Sequence, residues 1–142
     1  MIIVDANLLL YAENSSSQLH DKSRLWWDEQ LSGKFPVYLS WTVLNAFLSI
    51  STNKRVIKNP LTMKKASNRI QSWLDQPCTR LVNPTNNHWT LFKQILLECN
   101  IKGRLVMDAH LAALAMEHGC TLYSTDSDFA LFPKLKWNNP LI

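Results

Sequence analysis

An α/β domain with a mostly parallel sheet, covered by helices on both faces, is the architecture this 142-residue sequence implies. Short apolar runs of strand length recur at Ile2-Ile3-Val4, Pro36-Val37-Tyr38-Leu39, Arg80-Leu81-Val82 and Cys120-Thr121-Leu122-Tyr123. Segments with helical spacing separate them throughout, and that alternation calls for crossover connections and parallel pairing. The length corresponds to one domain, residues 1–142, long enough to bury a core. A composition 46% apolar and 18% charged belongs to a folded chain, not a disordered one.

The first run, Ile2 to Val4, is β-branched and uninterrupted, as a buried strand requires. It stops at Asp5-Ala6-Asn7, and Leu8 to Ala12 reads as helix. Leu19 to Leu31 is a second helix, with Leu19, Trp26, Trp27 and Leu31 as core positions and Gly33 at its end. After the second strand, Thr42 is placed to cap a helix carrying Val43, Leu44, Phe47, Leu48 and Ile50. Asn53 to Leu61 is a basic loop closed by Pro60. Thr62 then caps a helix with Ala66, Ile70, Trp73 and Leu74 on one face, which ends at Pro77. The third strand leads to a helix opened by Pro84-Thr85, with Trp89, Phe92, Leu96 and Cys99 in register. Met107 to His118 is the clearest helix, with Gly119 placed to terminate it. The fourth strand ends at Ser124-Thr125-Asp126-Ser127-Asp128. A short turn over Phe129 to Phe132 and a last strand over Leu135 to Trp137 complete the chain.

Several function classes fall away. No stretch approaches 18 uncharged apolar residues, so no membrane span is expected. The start lacks a basic segment followed by a long apolar one, so no signal peptide is expected and a cytoplasmic setting follows. The only glycines, Gly33, Gly103 and Gly119, cannot form a dinucleotide fingerprint, a P-loop or a nucleophile elbow. Cys78, Cys99 and Cys120 are odd in number and distant in sequence, which suits reduced, packed thiols better than disulfides or zinc.

The net charge of +4 is uneven. Between Lys54 and Arg80 there are seven basic residues and one acid, Asp75, whereas the rest of the chain is slightly acidic. A basic middle suits a polyanion such as nucleic acid, or is simply a solvated face.

Ligands of open parallel sheets bind at the carboxyl ends of the strands. Asp5 follows the first strand, Asp126 and Asp128 follow the fourth, and Asp108 opens the clearest helix. Each has a local alternative as a cap or turn residue. Brought together they repel, and the cluster invites a divalent cation. Hard oxygen donors favour Mg²⁺ or Mn²⁺ over zinc. Such a cation beside a basic surface equips a site for phosphodiester hydrolysis, because it screens the phosphate and stabilises the leaving oxygen. A phosphatase acting on small esters is a rival reading. His20, His88, His110 and His118 offer no convincing acid–base pair: a helix turns His110 about 200° from Asp108. The six tryptophans sit mostly at core positions, with Trp41 and Trp137 outside clear stripes.

Asp5 after the first strand, the run Asp108-Ala109-His110-Leu111-Ala112-Ala113-Leu114-Ala115, and Ser124-Thr125-Asp126-Ser127-Asp128-Phe129 together resemble the PIN-domain family. The likeness covers the whole chain and is strongest to VapC-type toxins of bacterial toxin–antitoxin pairs. It implies a three-layer α/β/α sandwich, Mg²⁺-dependent endoribonuclease activity on an RNA substrate, inhibition by a small antitoxin protein, and a homodimer. Carried over by position, Asp5, Asp108 and Asp126 are the metal ligands, and Asp128 supports them directly or through water. Ser124 and Asn7 match supporting polar positions.

One departure stands out. The family usually carries a glutamate in the helix after the second strand, where this chain has Asn45 or Ala46. Asn45 offers an oxygen without a charge. Glu13 and Asp21 are the nearest acids that could substitute if the fold brought them in. The missing acid keeps open a second reading, a catalytically silent PIN-fold module that binds RNA or protein. Lys54, Arg55 and Lys58 are the candidates to grip an RNA backbone, and a groove near Trp26 and Trp27 is the candidate seat for an antitoxin helix.

Overall fold

The computed structural model describes all residues, 1–142. Five strands, β1 (Ile2–Val4), β2 (Val37–Ser40), β3 (Thr79–Val82), β4 (Thr121–Tyr123) and β5 (Trp137–Asn138), form one sheet in the order β3-β2-β1-β4-β5. Every neighbouring pair is parallel. The central strand β1 is buried along its whole length, as its unbroken Ile-Ile-Val run requires. Six helices cross over: α1 (Ala6–Glu13), α2 (His20–Leu31), α3 (Trp41–Ser51), α4 (Met63–Leu74), α5 (His88–Glu98) and α6 (Leu105–Glu117). Their apolar faces and the sheet share one core, in which Leu8, Leu39, Phe47, Trp73, Leu114 and Leu122 are almost fully buried. No helix is long and apolar enough to cross a membrane.

The element boundaries depart from expectation where a local hydrogen bond decides them. Ser40, not Thr42, caps α3, its hydroxyl accepting from the Val43 N–H, and Thr42 bonds only to Ser40. Helix α5 starts at His88, because Thr85 first turns the chain by accepting from the Asn87 N–H. Helix α6 starts at Leu105, so Asp108 lies inside its first turn. The last strand is Trp137–Asn138, and Leu135 and Lys136 precede it. Gly33 does not adopt the left-handed conformation expected of a helix stop, and α2 ends at Ser32. Trp89 is exposed: its ring meets Phe92 on the outer side of α5, and Ile95 takes the buried place. The three cysteines are free, as expected.

Candidate active site

The site is built where β1 and β4 end side by side. β1 pairs with β4 up to Val4 and Tyr123, and the Asp5 N–H then donates to the Tyr123 carbonyl, extending the ladder by one residue. Asp5 is therefore delivered next to Ser124. Asp5 also caps α1, its Oδ1 accepting from the Ala6 N–H at 2.7 Å. Its Oδ2 accepts from the Ser124 hydroxyl at 2.8 Å. The Ser124 oxygen in turn accepts from the Asn7 amide and the Asp126 N–H, each at 3.0 Å. Asp126 caps the short 3₁₀ turn Ser127–Leu131, accepting from the Asp128 N–H at 2.9 Å. The Trp137 indole N–H donates to the Ser124 carbonyl, tying β5 to the same loop.

Helix α6 brings Asp108 to this loop. One ligand oxygen from each of Asp108, Asp126 and Asp128 lies within 4.8 Å of the others. Burial pushes the Asp5 carboxyl above its ordinary range, against the Ser124 and Ala6 hydrogen bonds that pull it down, and Asp126 adds to the rise. Burial also raises Asp108, to about 6, with the charges of Asp126, Asp5 and Asp128 pushing the same way and Arg104 opposing them. Four aspartates thus feel one another, and the excess negative charge is the electrostatic condition that a cation relieves. The donors are all hard carboxylate oxygens. A divalent cation would be held by these side chains once their oxygens draw together.

Arg104, at the N-terminal boundary of α6, is the one cation at this cluster. It is exposed and donates to Asp128 Oδ2 at 2.9 Å. Sequence pattern does not single it out, because its partner lies 24 residues away. Its spacing of four residues from Asp108 is the one available signal.

Asn45 is exposed in α3, the helix that starts one strand away from Asp5, and makes no hydrogen bond to the aspartates. Other expected residues lie elsewhere. Glu13 does not stand in for the missing acid. It sits at the far end of α1 from Asp5, held by Arg24 at 3.1 Å and Arg69 at 2.9 Å. Asp21 is exposed at the start of α2. Lys54, Arg55 and Lys58 are exposed in the loop after α3. That loop packs with Ile57 and Asn59 against Leu10 and Glu13, at the end of α1 remote from Asp5. Trp27 is core, packed between Trp26 and Trp73, and cannot line a groove; Trp26 is half-buried against Tyr123. The histidines serve another purpose. His88 bridges Glu117 at 2.8 Å and His110 at 2.9 Å, a chain that fastens α5 to α6 rather than facing the aspartates. Burial, then the neighbouring His88, lowers the His110 pKa, and Glu117 opposes the shift.

The chain is similar to known proteins in sequence and in fold. The PIN domain family profile matches residues 2–135. The ribonuclease VapC37 of Mycobacterium tuberculosis is 41% identical over 140 residues, covering 99% of this chain and 97% of that protein. Among solved structures, VapBC2 from Rickettsia felis, bound to a DNA fragment from its promoter, superposes with a TM-score of 0.72 at 17% identity, covering 98% of both chains. A toxin–antitoxin complex from Klebsiella pneumoniae gives a TM-score of 0.65 at 15% identity, covering 99% of this chain and 98% of that one.

Proposed function

This chain belongs to the PIN domain family, and from that premise we propose that it is a toxin-type endoribonuclease that hydrolyses RNA phosphodiester bonds with a divalent cation, Mg²⁺ or Mn²⁺. The observation that carries the proposal is the convergence of Asp108, Asp126 and Asp128 within 4.8 Å at the carboxyl end of a parallel sheet, with Asp5 coupled to them. Asp5, Asp108 and Asp126 would hold the cation, with Asp128 in support. When bound, the cation supplies charge screening at the phosphate and acidity toward an attacking water.

The chain's own groups do the rest. Ser124 and the Ala6 N–H fix both oxygens of Asp5, so the carboxylate is oriented before substrate arrives. Asn7 buttresses Ser124 and accepts from the Thr125 N–H, locking the two strand ends together. Arg104 is free to exchange Asp128 for a substrate phosphate, since it is exposed and charged. Lys54, Arg55 and Lys58 would hold the RNA backbone at a distance from the cut. The likeness to a toxin–antitoxin complex supports a protein antitoxin as partner, and a homodimer in the cytoplasm completes the reading.

The test is cleavage of total RNA by the purified chain freed of any partner, in Mg²⁺ or Mn²⁺ and in EDTA, beside Asp5→Ala and Asp108→Ala. Cation-dependent cuts that vanish in both variants are expected. A second reading, a catalytically silent RNA- or protein-binding module, is favoured by the neutral Asn45 alone. Folded protein that binds RNA but never cuts it would select that reading.

A further inference from the structure

Trp41 is half exposed at the first position of α3, on the sheet edge that also carries Asp5. Its placement follows from register. β1 and β2 are parallel neighbours with Ile3 level with Tyr38, and the same register continued puts Asp5 level with Ser40. Asp5 caps α1 and Ser40 caps α3. The two helices therefore start side by side, about one strand spacing of ~5 Å apart.

The indole is unengaged by the protein. The rings of Trp26, Trp27, Trp73 and Trp89 each pair with another aromatic ring, and the Trp137 N–H has an acceptor. Trp41 has neither. Asn45 follows at i+4, so it flanks Trp41 on the same face of α3, and its exposed amide also has no protein partner. The first turn of α3 carries no acid to repel an anionic strand. A flat apolar ring beside a free amide, one strand from Asp5 on the same sheet edge, matches an unpaired nucleotide: the ring takes the base face and the amide takes its edge.

Resting on the ribonuclease reading above, we propose that Trp41 is a base-stacking platform for an unpaired RNA nucleotide flanking the scissile phosphate, and that Asn45 reads the edge of that base. Trp41 thereby contributes to affinity and Asn45 to the choice of cleavage site.

Binding of a randomised single-stranded RNA pool to the non-cleaving Asp108→Asn protein measures the stacking directly. Adding Trp41→Ala should weaken binding about tenfold or more, and Trp41→Phe should restore most of it. The slope of log affinity against log salt should not change, because no charge is removed. In the cleaving protein, Asn45→Ala should redistribute the cut sites with thermal stability intact. Equal affinity of the Trp41→Ala and parent proteins, with an unchanged cut pattern, overturns the inference and leaves the ribonuclease reading standing. Loss of antitoxin binding with RNA binding intact would also overturn it, by assigning the indole to a protein interface. Absence of both RNA binding and RNA cleavage in the wild-type chain removes the ribonuclease reading and this inference together.

Discussion

Ser124 has one proton to donate and two lone pairs to offer, and the fold uses all three, on Asp5, Asn7 and Asp126. The side chain is fully buried, and without its hydroxyl the Asp126 N–H loses its acceptor while Asp5 Oδ2 keeps only the Asn7 amide at 3.4 Å. Ser124→Ala should cost about 1–3 kcal/mol in denaturant unfolding. It should also slow RNA cleavage, because Asp5 Oδ2 then rests on that longer bond alone. Unchanged stability and rate would show that Ser124 does not organise the site. Asp108 makes the opposite argument, from burial first and repulsion second. Its pKa is raised from 3.8 to about 6 in the folded chain, so the folded state holds the proton more tightly than the unfolded state. The stability this confers is complete below about 3.8 and is lost as pH rises through about 6. In EDTA, melting temperature should therefore fall across that window, and Asp108→Asn should flatten the fall. At neutral pH a divalent cation should raise the wild-type melting temperature more than that of Asp108→Asn. Equal pH profiles for the two proteins would deny that Asp108 titrates high in the folded chain.

Helix α6 carries Asp108 at one end and hands the chain to β4 at the other, so its termination sets where Ser124 and Asp126 fall. The stop is a two-bond motif: Gly119 N–H to the Met116 carbonyl at 3.2 Å and Cys120 N–H to the Ala115 carbonyl at 2.9 Å. Gly119 adopts φ +66°, and a Cβ there would touch nothing within 4 Å. Gly119→Ala should thus destabilise the fold by about 1 kcal/mol through backbone strain alone, measured by equilibrium unfolding. A neutral result would mean the turn relaxes to another conformation. Helix α5 ends in the same way with Asn100 at φ 52° and Ile101 N–H on the Leu96 carbonyl. The first stop is legible in sequence because glycine announces it, and the second is not, because asparagine serves many other turns. The start of α3 shows the same limit. Ser40 and Thr42 are both able caps, and only the end of β2 at Ser40 decides between them.

At the scale of the molecule, what can be read from sequence is whatever repeats with a period or follows a strand. The alternation of strands and helices gives the parallel sheet. The positions just after β1 and β4 give Asp5, Asp126 and Asp128. The groups that complete the site are joined across long stretches of chain with no periodic mark: Ser124 to Asp5, Arg104 to Asp128, and the chain of Glu117, His88 and His110 that braces α5 on α6. The same long-range geometry separates the two charge systems. The aspartates lie at the start of α1, and the basic loop packs on its other end, eight residues or about 12 Å along the axis. Lys54, Arg55 and Lys58, exposed in that loop, are therefore expected to act on backbone further along the strand and not on the scissile phosphate. Replacing all three with Gln should weaken single-stranded RNA binding and reduce the steepness of its salt dependence, by about 0.7 in log–log slope for each phosphate that is no longer neutralised. The cleavage rate at saturating RNA should hold, because no group near the aspartates changes. A full salt slope in the triple variant would place the RNA path on another face, and a collapsed rate at saturation would place the loop at the chemistry, against the topology.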